Sequence, residues 1–149
     1  MDYIVKTGAG HMIPGDVASL LHNTYWAYDR PEDAIRRSME RSDCYGVFTA
    51  DGSKQVAFAR VITDGVTTFY LCDVVVDPAL RGQGVGTLLL RAVHDNPAYA
   101  GLLGLLATRD AQDFYRRFGY EEGGPSLMRK GRKYTAPSAQ AKENKDGKI

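Results

Sequence analysis

The residues whose types and spacing best match a chemical task lie in Asp77-Pro78-Ala79-Leu80-Arg81-Gly82-Gln83-Gly84-Val85-Gly86-Thr87. This stretch falls where strand-type residues end and helical periodicity begins. Gly82, Gly84 and Gly86 carry no β-carbon, so the chain can turn sharply there and aim successive backbone N–H groups at one point. The helix start just beyond adds partial positive charge. That combination makes an anion site, with a ligand-free glycine turn as the plain alternative. Two familiar phosphate loops are excluded by the residues themselves. No Gly-Lys-Ser/Thr ending follows, and the third glycine of the dinucleotide spacing is missing. A dinucleotide site would also want an acidic residue about 20 positions downstream, where the chain reads Gly-Leu-Leu-Ala.

A second block follows, Leu106-Ala107-Thr108-Arg109-Asp110-Ala111-Gln112-Asp113-Phe114-Tyr115-Arg116-Arg117-Phe118-Gly119-Tyr120. Arg81, Gly84 and Gly86 match the Arg/Gln-x-x-Gly-x-Gly/Ala pyrophosphate signature of the GCN5-related N-acetyltransferases (GNAT). The second block is similar to that family's Ala-x-x-Phe-Tyr-x-x-x-Gly-Phe/Tyr pattern. Two motifs in order single out far more than one. The resemblance runs from Asp2 to Lys130 and implies an acetyl-CoA-dependent N-acetyltransferase acting on an amine of a small molecule or peptide. The amine would attack directly in a ternary complex. One departure is visible: Glu121 to Lys130 is short for the family's final hairpin.

Residue by residue, the resemblance implies that the amides of Arg81, Gly82, Gln83, Gly84, Val85, Gly86 and Thr87 hold the pyrophosphate of coenzyme A, with the Arg81 side chain at its edge. Val74, Val75 and Val76 would flank the pantetheine arm on one side, with Leu105 to Thr108 and Asp110 on the other. A backbone N–H near Val75 or Val76 would polarise the thioester carbonyl. Tyr115 matches the tyrosine that protonates the departing thiolate. It also shares a helical stripe with Ala111, Phe114 and Phe118, so core packing is its competing reading. A non-catalytic acyl-CoA sensor is the rival function, and a homodimer is open because dimers are common in the family.

Asp73 interrupts Tyr70-Leu71-Cys72-Asp73-Val74-Val75-Val76. A carboxylate in such a strand must be paired or must open onto a cleft. It either faces the acceptor amine, as base or anchor, or pairs with Arg60 or an arginine of an early helix. Tyr25, Trp26 and Tyr28 either line a substrate pocket or cover an edge of the core. Nothing in the sequence lowers the pKa of Cys72, which reads as a packed thiol. His11, His22 and His94 lack metal-ligand spacing, so no metal is expected.

These residues need positioning elements. Val17, Leu20 and Leu21 follow helical spacing behind Pro14-Gly15-Asp16, and a second helix runs from Pro31 to Arg41, with acidic residues first and arginines later. Cys44 to Ala50, Gln55 to Thr63 and Val66 to Val76 read as strands of an antiparallel meander, joined by Asp51-Gly52-Ser53 and Asp64-Gly65. Val85, Leu88, Leu89, Ala92 and Val93 mark a buried crossover helix. It leads to a strand ending at Ala107 that is parallel to the third and buried on both faces. A last helix spans Ala111 to Phe118, with Asp110 as N-cap and Gly119 as its left-handed stop. Ser126 to Lys130 is expected to close the sheet. The fold class is therefore α/β, a mixed sheet with an antiparallel N-terminal meander and a central parallel strand pair, flanked by helices.

At 149 residues the chain has the length of one domain, assigned to residues 1–130, with a polar and disordered tail over 131–149. Its 19 basic and 18 acidic residues nearly cancel. No overall field draws it to nucleic acid or a membrane surface. Two cysteines in apolar runs fit a reducing compartment, and no apolar stretch is long enough to span a bilayer, so a cytoplasmic location is expected.

Overall fold

The computed structural model describes residues 2–124 and 126–134. Strand β1 (Tyr3–Thr7) leads to helices α1 (Pro14–His22) and α2 (Glu32–Glu40). Strands β2 (Asp43–Thr49), β3 (Gln55–Thr63) and β4 (Thr68–Val76) follow, then helix α3 (Val85–His94), strand β5 (Leu103–Leu105) and helix α4 (Gln112–Arg116). The sheet order is β1-β2-β3-β4-β5. Every neighbouring pair is antiparallel except β4 and β5, which run parallel through the α3 crossover. The mixed α/β sheet read from the sequence is the one observed.

Each face of the sheet carries its own core. Val17, Leu20 and Leu21 of α1 and Ile35 and Met39 of α2 pack with Phe48, Phe58 and Val75. On the other face Val85, Leu89, Leu90 and Val93 of α3 pack with Val47, Val61, Phe69 and Leu71. Buried Gln55 fixes α1 to the sheet: its Oε1 accepts from Ile13 N at 2.9 Å, and its own N–H donates to Asp16 Oδ2 at 2.9 Å. Gly104 has a packing reason, since a β-carbon there would stand 2.4 Å from Phe69 Cζ.

Several expectations are corrected. Strand β1 carries no strong alternation, its middle residues being exposed, and it went unread. On α3, Val85, Leu89 and Val93 are buried as expected, but Leu90 is buried whereas Leu88 is exposed, so the buried stripe is shifted by about a sixth of a turn toward Leu90. Strand β4 begins at Thr68 and not at Val66, because Asp64 Oδ1 accepts from Val66 and Thr67 N–H and closes a longer loop. Strand β5 is a short edge strand with Leu103 60% and Leu105 48% exposed, not one buried on both faces. Ser126 to Lys130 forms no strand. Asp110 does not cap α4: the N-cap is Ala111, whose N–H donates to Thr108 Oγ1 at 3.1 Å. Of the expected tail, residues 131–134 are described and residues 135–149 lie outside the described residues.

Candidate active site

The glycine loop bends where the sequence requires it. After β4, Asp77 caps a short 3-10 turn by accepting from Ala79 N, and Gly82 and Gly84 take φ of 78° and 86°. A β-carbon at either would touch nothing within 4 Å, so backbone conformation and not space selects glycine there. Gly84 is the N-cap of α3 and offers no side-chain cap. The first helical bond runs from Leu88 N to Gly84 O, which leaves the N–H groups of Val85, Gly86 and Thr87 without a partner inside the helix. No acidic residue occupies that first turn, and Arg81 is exposed and forms no ion pair among the described residues. Gly86 differs from the other two: a β-carbon would meet Phe114 Cζ at 3.3 Å, so it lets α4 lie close on α3.

Beside this loop the parallel strands part. Pairing of β4 with β5 covers only Thr68 to Tyr70, so Leu71 to Val76 have no strand partner on that side among the described residues. Asp77 N bonds Val56 O on the β3 side, and strand alternation turns the amide of Val76 toward the gap. The parting coincides with a bulge. Phe58 pairs with Val75 and Arg60 with Cys72, so Ala59 faces two residues, Asp73 and Val74. Asp73 is left-handed at φ 57°, the sole non-glycine with positive φ among the described residues.

The bulge buries the Asp73 side chain, 3% exposed, among donors. Its Oδ2 receives Arg30 Nη1 at 2.6 Å and Arg60 Nε at 2.8 Å, and its Oδ1 receives Trp26 Nε1 at 3.3 Å. Burial alone would raise its pKa. The Arg30 hydrogen bond and the charges of Arg60 and Arg30 outweigh burial and hold the carboxyl below its ordinary value. Tyr115 lies half-buried on α4, its ring 6.1 Å from that of Tyr120. Desolvation, with a smaller push from the Tyr25 phenol, raises its pKa to about 12. It is therefore a standing proton donor at neutral pH. Tyr25 meets Trp26 edge-on at 5.1 Å and takes Arg109 Cζ at 3.9 Å over its ring.

Comparison with known proteins adds the decisive observation. Residues 42–122 match the family model described as "Acetyltransferase (GNAT) domain". A crystal structure from Xanthomonas campestris pv. campestris, described as belonging to the GNAT family, superposes with a TM-score of 0.81 at 38% identity, covering 89% of this chain and 94% of that one. The chain belongs to the GNAT acetyltransferase family. Among curated relatives, a Gibberella zeae protein named as an acetyltransferase is 30% identical over 63% of this chain and 63% of its own length. Serotonin N-acetyltransferase 2 of Oryza sativa subsp. japonica is 30% identical over 61% of this chain and 48% of its own length. The chain thus spans less than two thirds of the length of these curated relatives.

Within this GNAT domain the residues singled out from sequence fall into three groups. Val74 to Val76 end β4 where it has no β5 partner among the described residues, and Arg81 to Thr87 lead from there into α3. Asp73 is brought to Trp26, and Tyr115 packs edge-on against Phe114 and Tyr120. Tyr25, Trp26 and Tyr28 are exposed and do not cover the core. Thr108 spends its hydroxyl on Ala111 N, and Asp110 is exposed beside Arg109. Burial raises the Cys72 thiol to about 11, which leaves it inert near neutral pH.

Sequence reasoning did not find Arg30, Tyr134, or the pair His94 and Tyr120. Arg30 precedes α2 and is buried, and its Nε donates to the Tyr134 hydroxyl at 2.9 Å. His94 bridges Leu90 O through Nδ1 and Tyr120 Oη through Nε2, both at 2.7 Å, and stacks on Phe118. The signal available for that bridge was the i,i−4 position of Leu90 together with the tyrosine ending the second motif. No short-range pattern marks Arg30 or Tyr134.

Proposed function

We propose that this GNAT domain is an acetyl-CoA-dependent N-acetyltransferase whose amine acceptor is a small molecule or a peptide. The observation that carries the reading is the opening of β4 away from β5 directly upstream of a glycine-capped helix N-terminus whose first amides have no partner among the described residues. A diphosphate fits that loop, because the three N–H groups and the exposed Arg81 supply charge-assisted bonds and no side chain fills the turn. When bound, acetyl-CoA supplies the electrophilic thioester carbonyl.

The chain's own groups then divide the work. The Val76 amide, turned toward the gap, donates to the carbonyl oxygen as negative charge develops there. The Tyr115 phenol, kept protonated, donates to the sulfur that leaves, and the proton shed by the attacking nitrogen passes to solvent, from which the phenol is reprotonated. Asp73 is a positioning residue: both its oxygens are engaged by donors, and its depressed pKa makes it a poor proton acceptor. Tyr25 and Trp26 form the wall against which the amine is held, so orientation supplies a large part of the rate. The aromatic wall is consistent with a relative that is a serotonin N-acetyltransferase. Thiol release with acetyl-CoA and a panel of amines tests the reading. Turnover of at least one amine is expected; micromolar coenzyme A binding with no turnover of any amine would refute it in favour of a sensor.

A further inference from the structure

The charge around Asp73 does not balance. Arg30 and Arg60, 5% and 11% exposed at their side chains, share that single carboxylate, and no second carboxylate pairs with either among the described residues. One positive charge is therefore left over in a nearly buried place, where an uncompensated charge is costly unless an anion joins it. A third cation stands beside it. Arg132 Nη1 donates to the Tyr134 hydroxyl at 2.8 Å, and the same oxygen takes Arg30 Nε at 2.9 Å. A neutral phenol oxygen thus fills a position aimed at by two guanidinium donors. A carboxylate or phosphate oxygen there would form shorter and stronger charge-assisted bonds.

We infer that the acceptor amine carries an acid group, carboxylate or phosphate, which Arg30 and Arg132 receive where the Tyr134 hydroxyl now sits. The inference rests on the N-acetyltransferase reading and narrows its substrate class. Spacing along β4 limits the acceptor's length. Asp73, the partner of Arg30, precedes Val76 by three residues, about 10 Å at the usual rise per residue, and the bulge shortens this. The amine and the acid are then separated by a few bonds and not by a long chain. Trp26 and Tyr25 flank the same spot and can cover the apolar part of such a molecule.

Matched amine pairs test this by thiol release: 2-phenylethylamine against phenylalanine, putrescine against ornithine, and ethanolamine against O-phosphoethanolamine. The acid-bearing member of at least one pair is expected to show kcat/KM about 10- to 100-fold higher, expressed mainly in KM. Arg132→Gln, on an exposed side chain, should shrink that ratio severalfold. Tyr134→Phe, which removes the competing oxygen, should lower KM for the acid-bearing member. A second readout needs no turnover, because Trp26 is the single tryptophan of the chain and donates to Asp73. In the coenzyme A-loaded protein, acetate or inorganic phosphate should change its fluorescence saturably at constant ionic strength, and chloride should not. The responding anion tells carboxylate from phosphate. Amine turnover without preference for either acid would overturn the inference and leave acetyl transfer standing. A saturable response without turnover would refute acetyl transfer and keep the acid site. A silent Trp26 together with no turnover would remove both.

Discussion

Asp73→Asn isolates the electrostatic role of the bulge. Asparagine matches the shape of aspartate and tolerates left-handed backbone, so the φ of 57° need not change. What changes is charge. Two guanidinium groups, at 2.6 and 2.8 Å from one oxygen, would face a neutral amide in a site where the three side chains are 3%, 5% and 11% exposed. Removing one partner from a buried pair costs about 3–5 kcal/mol, because the remaining charge stays desolvated. That is a fifth or more of the stability of an ordinary domain, about 5–15 kcal/mol.

Urea unfolding followed by Trp26 fluorescence and circular dichroism gives the measurement. With m near 2 kcal/mol/M, a loss of about 4 kcal/mol lowers the midpoint by about 2 M at unchanged slope. The sign of the pH dependence follows from the depressed carboxyl pKa. Its contribution is fully present above the unfolded value near 3.9 and is lost as pH falls through the lower folded value. The gap between wild type and variant should stay constant from about pH 5 to 8 and narrow only below about pH 4. A loss under about 1 kcal/mol, the scale of an exposed pair, would show that the arginines are solvated and that the excess-charge argument fails.

Other substitutions probe the remaining parts. Tyr115→Phe should lower kcat about 100-fold with the coenzyme A Kd unchanged by calorimetry. With its phenol held at about 12, the wild-type kcat should show no alkaline loss from this group below about pH 11. Gly84→Ala places a β-carbon at φ 86° in open space, so its cost is conformational, about 1–2 kcal/mol. Where that conformation is the one that binds, the cost should weaken coenzyme A binding about 5- to 30-fold by calorimetry. Cys72→Ala should retain turnover, and iodoacetamide at pH 7.5 should label the wild-type thiol slowly, because burial holds it at about 11.

The periodic elements were legible because single faces decide them. Val17, Leu20 and Leu21 on α1 and Val85, Leu89 and Val93 on α3 are spaced for one buried stripe, and they are buried. The glycine loop was legible because Gly82 and Gly84 need positive φ, a requirement that composition displays directly. Edge elements were harder. Strand β5 contains Leu103 and Leu105, apolar residues that look interior, yet the sheet ends there and exposes them. Strand β1 was silent for the opposite reason, since its middle positions face solvent. In the site, Asp73 announced itself as a carboxylate in an apolar run. Arg60 on the neighbouring strand was among the partners the sequence offered, whereas Arg30 comes from the loop before α2 and only the fold brings it to the carboxylate.

The bulge ties these features to one another. A left-handed non-glycine residue inside a strand costs about 1–2 kcal/mol and persists only where its surroundings over-determine it. Here they do, because Trp26 and Arg30 from the loop between α1 and α2, and Arg60 from β3, hold the Asp73 carboxylate. The same distortion lies just past Tyr70, where β5 stops pairing, so the extra residue in β4 and the loss of the parallel ladder fall in one place. A straight β4 would extend that ladder and close the gap onto which the Val76 amide opens. The buried ion pairs therefore stabilise the one irregular turn of β4, next to the point where pairing with β5 ends and ahead of the glycine loop.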